Sequence, residues 1–442
     1  MMLLAISMHT ATTLSLVFMW LPVCIGQCQG NKSAAEVKRN LEDSMKYCIA
    51  ECLNLRNKIT DKTCLFKTTT GKLKGCDVGV PDRKIKFKVI CKFDDDYDIS
   101  VLVREKGQPL CDILILPVAM FNKETNLMEM QPDRWDKWIP TFEIAKGLGI
   151  KLTVRIGAWN EWIMHPRDFT KVAKNEQVKT KFAQGVVNLV KIYDLDGITI
   201  SWMWPRCPQG NCIEDVDRKT VASFVRALAV PLKEMGKVVI YHMTGVYIDT
   251  IMAAGDYFSD IVDIIDYFYF ETNYQSGDWS AKTDFNFNLK QTKDVMKELT
   301  FKIKRSQEFK RKVLITVEPL AFNYELSDPN VTKLGAFFVK NTQMKKTLHM
   351  PEWCMRTKDP VYQLVKNAEK QNYAFKPHNL FIFDDQDSLT AKINFVMEFG
   401  AGVGMHSLVP DDMNGVCGCG RMPYLRHVVN ILKMNCEPIP CF

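Results

Sequence analysis

Residues 194–205 read DLDGITISWMWP, and their side chains alternate in character. Ile198, Ile200, Trp202 and Trp204 share one face of a strand, while Thr199, Ser201 and Met203 share the other. Acids spaced by two on such a face point into one cleft, where they donate protons and stabilise developing charge. Here the spacing is present and the acids are not. Asp196 stands just before the alternation, where capping or hydrogen bonding at a strand start is an ordinary role. Other chemistry-bearing side chains sit at the ends of short apolar runs: Arg155, His242, Glu271 and His406. The two histidines suggest a proton-handling pair, against the commoner structural or solvent-facing role. There is no GxSxG elbow, HExxH helix or phosphate loop, and no Cys/His cluster with zinc-ligand spacing. No metal and no cofactor are therefore expected.

The elements that must position these residues are legible from residue 86 onward. Eight short apolar strands are predicted at 87–93, 112–119, 151–156, 197–202, 237–243, 266–271, 312–317 and 402–408. Between them lie amphipathic helices; Phe182, Val186, Leu189 and Tyr193 recur at steps of three and four. This alternation favours a closed parallel (β/α)8 barrel or a doubly wound sheet. Residues from about 324 to 378 break it and read as an inserted α+β subdomain. In a barrel, Thr199, Ser201 and Met203 point into the lumen and climb toward the strand ends where chemistry sits.

Residues 194–205 resemble the signature D-G-x-D-x-D-x-E of glycoside hydrolase family 18, the chitinases and chitinase-like lectins. The likeness extends over roughly residues 87–436. It includes CKF…CDILILPVAMFN, KLTVRIGAW, FETNYQSGDW and DDQDSLTAK…GAGVGMHSLVPDDMNGVCG. The resemblance implies a TIM barrel with an α+β insertion between strands seven and eight, and a link between Cys91 and Cys111. It also implies substrate-assisted hydrolysis, in which the Glu protonates the leaving oxygen and its neighbouring Asp orients the substrate's acetamido group. Carried over, the first Asp and Gly are Asp196 and Gly197, the inner Asp residues become Thr199 and Ser201, and the Glu becomes Met203. A thioether donates no proton, and general acid catalysis contributes ~100- to 10,000-fold. Glu271, Asn273 and Tyr274 replace the sixth-strand Met, Tyr and Asp. His406 replaces the Trp floor of the sugar site, and Arg155 a small Ser. The expected protein is a pseudoenzyme of the chitinase type.

What fills the lumen instead is expected to be an Arg155–Glu271 ion pair, since an unpaired buried charge is costly; a shifted register would place either on the surface. Glu271 as a relocated catalytic acid is the competing role. Saccharide binding rests on aromatic faces: Trp159, Trp162, Trp204, Tyr274 and Trp279 lie at or beyond the strand ends, with His406 as candidate floor. Core or loop packing is the plain alternative for each. Cys207 and Cys212 sit close enough to staple the loop after the fourth strand.

The whole chain sets the context. Its 442 residues are 47% hydrophobic and 25% charged, as in ordinary globular proteins. The net charge of +7 is scattered, so no nucleic-acid face is expected. Residues 1–26 carry no charge, hold an apolar run from Leu14 to Ile25 and reach Gly26. They read as a secretory signal peptide, with a signal anchor as the alternative, and no later run is long enough to span a bilayer. Cleavage after Gly26 would remove Cys24 and leave fourteen of the fifteen cysteines, an even number that suits disulfides in a secreted chain. Residues 27–85 form a cysteine-rich extension ahead of the barrel at 86–442. The sequons at Asn31 and Asn330 suit glycosylation of an extracellular product. The expected partners are chitin-like or N-acetylglucosamine-containing glycans, with an extracellular protein partner as the alternative.

Overall fold

The computed structural model describes residues 65–67, 73–75, 87–93, 99–103, 108–158, 164–203, 205, 216–244, 257–366 and 372–433. The chain divides into two compact units, Met1–Gly79 and Val80–Phe442. In the first, Leu65–Lys67 pairs antiparallel with Leu73–Gly75.

The second unit is a closed barrel of eight parallel strands in chain order: β1 (Lys88–Lys92), β2 (Ile113–Leu116), β3 (Lys151–Ile156), β4 (Gly197–Ile200), β5 (Val238–Thr244), β6 (Tyr267–Glu271), β7 (Val313–Val317) and β8 (Gly402–Met405). Each expected apolar run holds one of them. Their period-two alternation divides the core. Leu152, Val154, Ile198, Ile200, Tyr241, Phe270, Ile315 and Val403 face outward and pack under the helices. Ile90, Ile113, Ile115, Val238, Ile240, Tyr269 and Leu314 form a separate apolar cluster within the lumen. Burying an Ile or Leu contributes about 1.5–3 kcal/mol, so β1, β2, β5, β6 and β7 are held by apolar contacts on both faces.

The helices begin where short polar side chains replace the missing backbone partners. Asn175 accepts from Gln177 and Val178 N–H, both at 3.1 Å, and starts Glu176–Ile192. Asp217 accepts from Thr220 N–H at 3.0 Å and starts Arg218–Glu234.

Between β7 and β8 the chain builds a five-stranded antiparallel sheet, ordered 347–348, 321–325, 379–383, 372–376, 363–366, with the helix Met350–Lys358. The sheet runs from Ala321 to Phe383, wider at both ends than 324–378. Cys91–Cys111 joins the ends of the β1–β2 connection. Cys354–Cys417 ties the inserted helix to the loop after β8, a pairing that sequence spacing gives no sign of.

Three aspartates pin the barrel's lower rim in the same way. Each precedes an even strand, donates its own N–H to a carbonyl of the preceding strand, and accepts that residue's N–H on its carboxylate. The carboxylate bonds are Asp112 with Val89, Asp196 with Leu152 and Asp266 with Val239, all 2.8 Å. Asp196 is thus spent on the backbone of β3. Asp196→Ala is expected to cost about 1.5–3 kcal/mol, the range for hydrogen bonds to a charged acceptor, measured by urea denaturation. Asp196→Asn, which keeps an acceptor, should cost less.

Gly197 follows, and a methyl group added there would land on the backbone carbonyl of Val238. Gly402, opening β8, stands in the same relation to Lys88. Parallel strands approach too closely at these two points for any side chain.

Candidate functional site

The upper lumen is lined by strand residues of one parity. On β4, Thr199 Oγ1 lies 3.0 Å from Thr153 Oγ1 of β3, and both are fully buried. Two residues on, Ser201 Oγ lies 2.7 Å from His242 Nδ1 of β5. The same imidazole presents Nε2 to Glu271 Oε1 of β6 at 2.7 Å. Glu271 Oε1 is also 2.9 Å from His406 Nδ1, beyond β8, an ion-pair distance. A continuous polar line therefore crosses the lumen, Ser201–His242–Glu271–His406. It is almost sealed: Ser201 is 0%, His242 2%, Glu271 5% and His406 9% exposed.

The protonation states follow from this packing. Burial by itself would raise the Glu271 carboxyl, but His406 and His242 together hold it well below the ordinary value of 4.5. Burial lowers His242, and the attraction of Glu271 only partly offsets that. An ionised Glu271 accepts the Nε2 proton, which leaves Nδ1 of a neutral His242 as the acceptor for the Ser201 hydroxyl.

The expected Arg155–Glu271 ion pair is not what the structure contains. Arg155 stands on the lumen side of β3, half-buried, but the partners of Glu271 are the two histidines. His242 is on the adjacent strand, whereas β3 lies three strands away around the barrel, and that separation decides the pairing.

A second cluster completes the mouth. Thr316 Oγ1 donates to Asn273 Oδ1, and Asn273 Nδ2 donates to Glu318 Oε2, both at 2.6 Å. Tyr274, Trp279 and His406 are brought together: the Tyr274 ring lies 5.0 Å from His406 and 6.4 Å from Trp279. Phe322 of the inserted sheet closes this group. Trp279 keeps 46% exposure, while Tyr274 is half-buried. Met203, three residues beyond the end of β4, is half-buried. Trp202, of opposite parity, is fully buried under the helices, stacked at 5.2 Å on Phe169.

Trp159, Trp162, Trp204, Cys207, Cys212 and Asn31 lie outside the described residues. Asn330 is exposed in a turn of the inserted sheet. Asp411 and Asp412 are structural. Asp411 accepts from the N–H groups of Asp412, Tyr424 and Leu425 at the start of helix Pro423–Leu432, and burial pushes its carboxyl up to about 7. Among the described residues no cluster of His, Cys, Asp or Glu is arranged to hold a metal, and no helix is long and apolar enough to cross a membrane.

The link from Ser201 to Glu271 through His242 is a connection that sequence reasoning missed. The signal was parity: all three are lumen-side residues at the carboxyl ends of consecutive strands.

A family model described as "Glycosyl hydrolases family 18" matches residues 88–411. Probable chitinase 10 of Drosophila melanogaster is 21% identical over 394 residues, covering 80% of this chain but 16% of that much longer protein. Catalytic domain 2 of the Ostrinia furnacalis Group II chitinase superposes with a TM-score of 0.68 at 21% identity, covering 81% of this chain and 99% of that one. Human YKL-39, described as a pseudo-chitinase with retained chitooligosaccharide binding, superposes with a TM-score of 0.64 at 15% identity, covering 78% and 100%.

Proposed function

The chain belongs to the family 18 glycosyl hydrolases, and from that premise we propose that it is a secreted chitinase-like protein that binds N-acetylglucosamine-containing glycans without cleaving them. One arrangement carries this reading: the mouth has no carboxylic acid on or just beyond β4 and keeps an exposed indole at its rim. Thr199 and Ser201 direct their hydroxyls to Thr153 and His242, and Met203 has no proton to give. Glu271 does not replace the missing acid. A general acid must be protonated before it acts, and two histidines hold this carboxyl ionised. Trp279, by contrast, offers an apolar face beside Tyr274 and His406, the kind of surface on which a pyranose ring stacks. The chitooligosaccharide binding attributed to YKL-39 supports the same combination of lost chemistry and kept binding.

Calorimetric titration with N-acetylglucosamine tetramer and pentamer tests this. Saturable binding with intact recovered sugar is expected. Trp279→Ala should weaken affinity roughly tenfold, ~1.4 kcal/mol, as the indole's apolar contact is lost. Cleaved sugar would refute the non-hydrolytic reading. Absence of binding would redirect the search to a protein partner at the barrel mouth.

A further inference from the structure

The polar line through the lumen has the order of an acyl-transfer triad. Ser201 Oγ sits 2.7 Å from one nitrogen of His242, and Glu271 Oε1 sits 2.7 Å from the other. Each distance lies within the reach required of a nucleophile and its base, and of a base and the group that orients it. Ser201 directly follows β4, and His242 and Glu271 belong to β5 and β6; all three lie at the end of the barrel where enzymes of this architecture place their chemistry. We infer that Ser201, His242 and Glu271 form a nucleophile–base–carboxylate triad able to cleave a small carboxylic ester or amide, an activity separate from glycosidic hydrolysis.

The roles follow from the contacts. Glu271 fixes the tautomer by accepting the Nε2 proton, so Nδ1 faces the serine with its lone pair. The nitrogens are exchanged relative to the familiar serine-protease arrangement, but the flow of protons is the same. The Ser201 oxygen bonds to the acyl carbon as its proton passes to His242 Nδ1, and the carbonyl π pair moves onto oxygen. Collapse restores the carbonyl, breaks the bond to the alcohol or amine, and returns the proton from His242 to that leaving group. Water then attacks the acyl-serine, giving its proton to His242, and the acid departs as Ser201 Oγ is reprotonated. The net change is ester or amide plus water to acid plus alcohol or amine. Arg155 adds a positive charge on the lumen face of β3, whose Cα pairs in register with Thr199 on the nucleophile's strand.

Access limits the substrate class. Ser201 is 0% exposed and half-buried Met203 follows two residues on, so the substrate inferred is one with a small acyl group, of acetyl size.

The test is covalent labelling of the purified full chain by methanesulfonyl fluoride, a small serine-directed reagent, read by peptide mass spectrometry. Modification of Ser201 is expected, and none at that position in Ser201→Ala. In His242→Gln the rate should fall ~100-fold or more, the usual worth of general base catalysis. Met203→Ala, which removes the half-buried neighbour without touching the triad, should speed labelling. It also keeps the test informative should His242→Gln fail to fold. Wild type should in addition turn over p-nitrophenyl acetate, with activity lost in step with labelling. A folded Met203→Ala protein left unlabelled at Ser201 would overturn the inference, as would labelling that is indifferent to a folded His242→Gln change. Either result would mark the line as a lumen filler only. Saccharide titration reads independently of all these outcomes.

Discussion

Replacing Glu271 by Ala is expected to lower the free energy of unfolding by roughly 3 kcal/mol, because it strands two buried imidazoles that share its carboxylate. Chemical denaturation at neutral pH would measure this. The acid limb of the stability curve is more diagnostic. The folded-state pKa of Glu271 lies below its ordinary value of 4.5, so its contribution is complete above 4.5 and is lost as pH falls through the folded value. The folded-state pKa of His242 lies below 6.5, so the unfolded chain takes up that proton first, and stability begins to fall as pH drops below 6.5. Wild type should therefore weaken in two stages on acidification. Glu271→Gln should start lower at pH 7 and lose less below 4.5. Parallel curves for the two proteins would contradict the ionised-carboxylate assignment.

Gly197→Ala is expected to be more damaging still. The new methyl group would meet the backbone carbonyl of Val238, which cannot swing aside as a flexible side chain would. One of two hydrogen-bonded strands must move, at a cost of roughly 3 kcal/mol or more. A large loss of soluble yield and a lowered urea midpoint are expected. Gly147→Ala, where the added methyl meets nothing within 4 Å, is the matched control and should change little. A tolerated Gly197→Ala would mean that β4 and β5 approach less closely than they do here. Asp196 and Gly197 thus hold the barrel, while Thr199, Ser201 and Met203 stand at the positions where the sequence resemblance implies acids. The two halves of one short motif answer to different physical demands.

That division explains what could be read in advance. Strand residues reveal themselves locally, since Ile198, Ile200 and Trp202 must alternate with Thr199 and Ser201 whatever the rest of the chain does. Parity likewise places Arg155, His242, Glu271 and His406 in the lumen. It does not say which of them meet, because that depends on closure and strand order. Arg155 and Glu271 have complementary charge but are separated by β4 and β5, and the neighbouring histidine prevails. Cys354 and Cys417 were equally unreadable as a pair: 63 residues separate them, and only the fold of the insertion brings them together. Tyr274 and Trp279 lie near each other because they follow the same strand and share a short loop.

The aspartates at the lower rim carry a consequence for how the molecule is put together. They fasten β1 to β2, β3 to β4 and β5 to β6, giving three self-closing cassettes. The place before β8 is taken by Ala401, whose N–H still reaches Val313 O at 2.7 Å but which has no carboxylate to answer with. This unfastened pair is also the one whose halves are parted by the excursion through residues 321–383. A chain severed between cassettes leaves each fragment its own clasp. A cut inside the excursion divides the one pair that has none, and leaves its reunion to the surrounding sheet and the Cys354–Cys417 bridge.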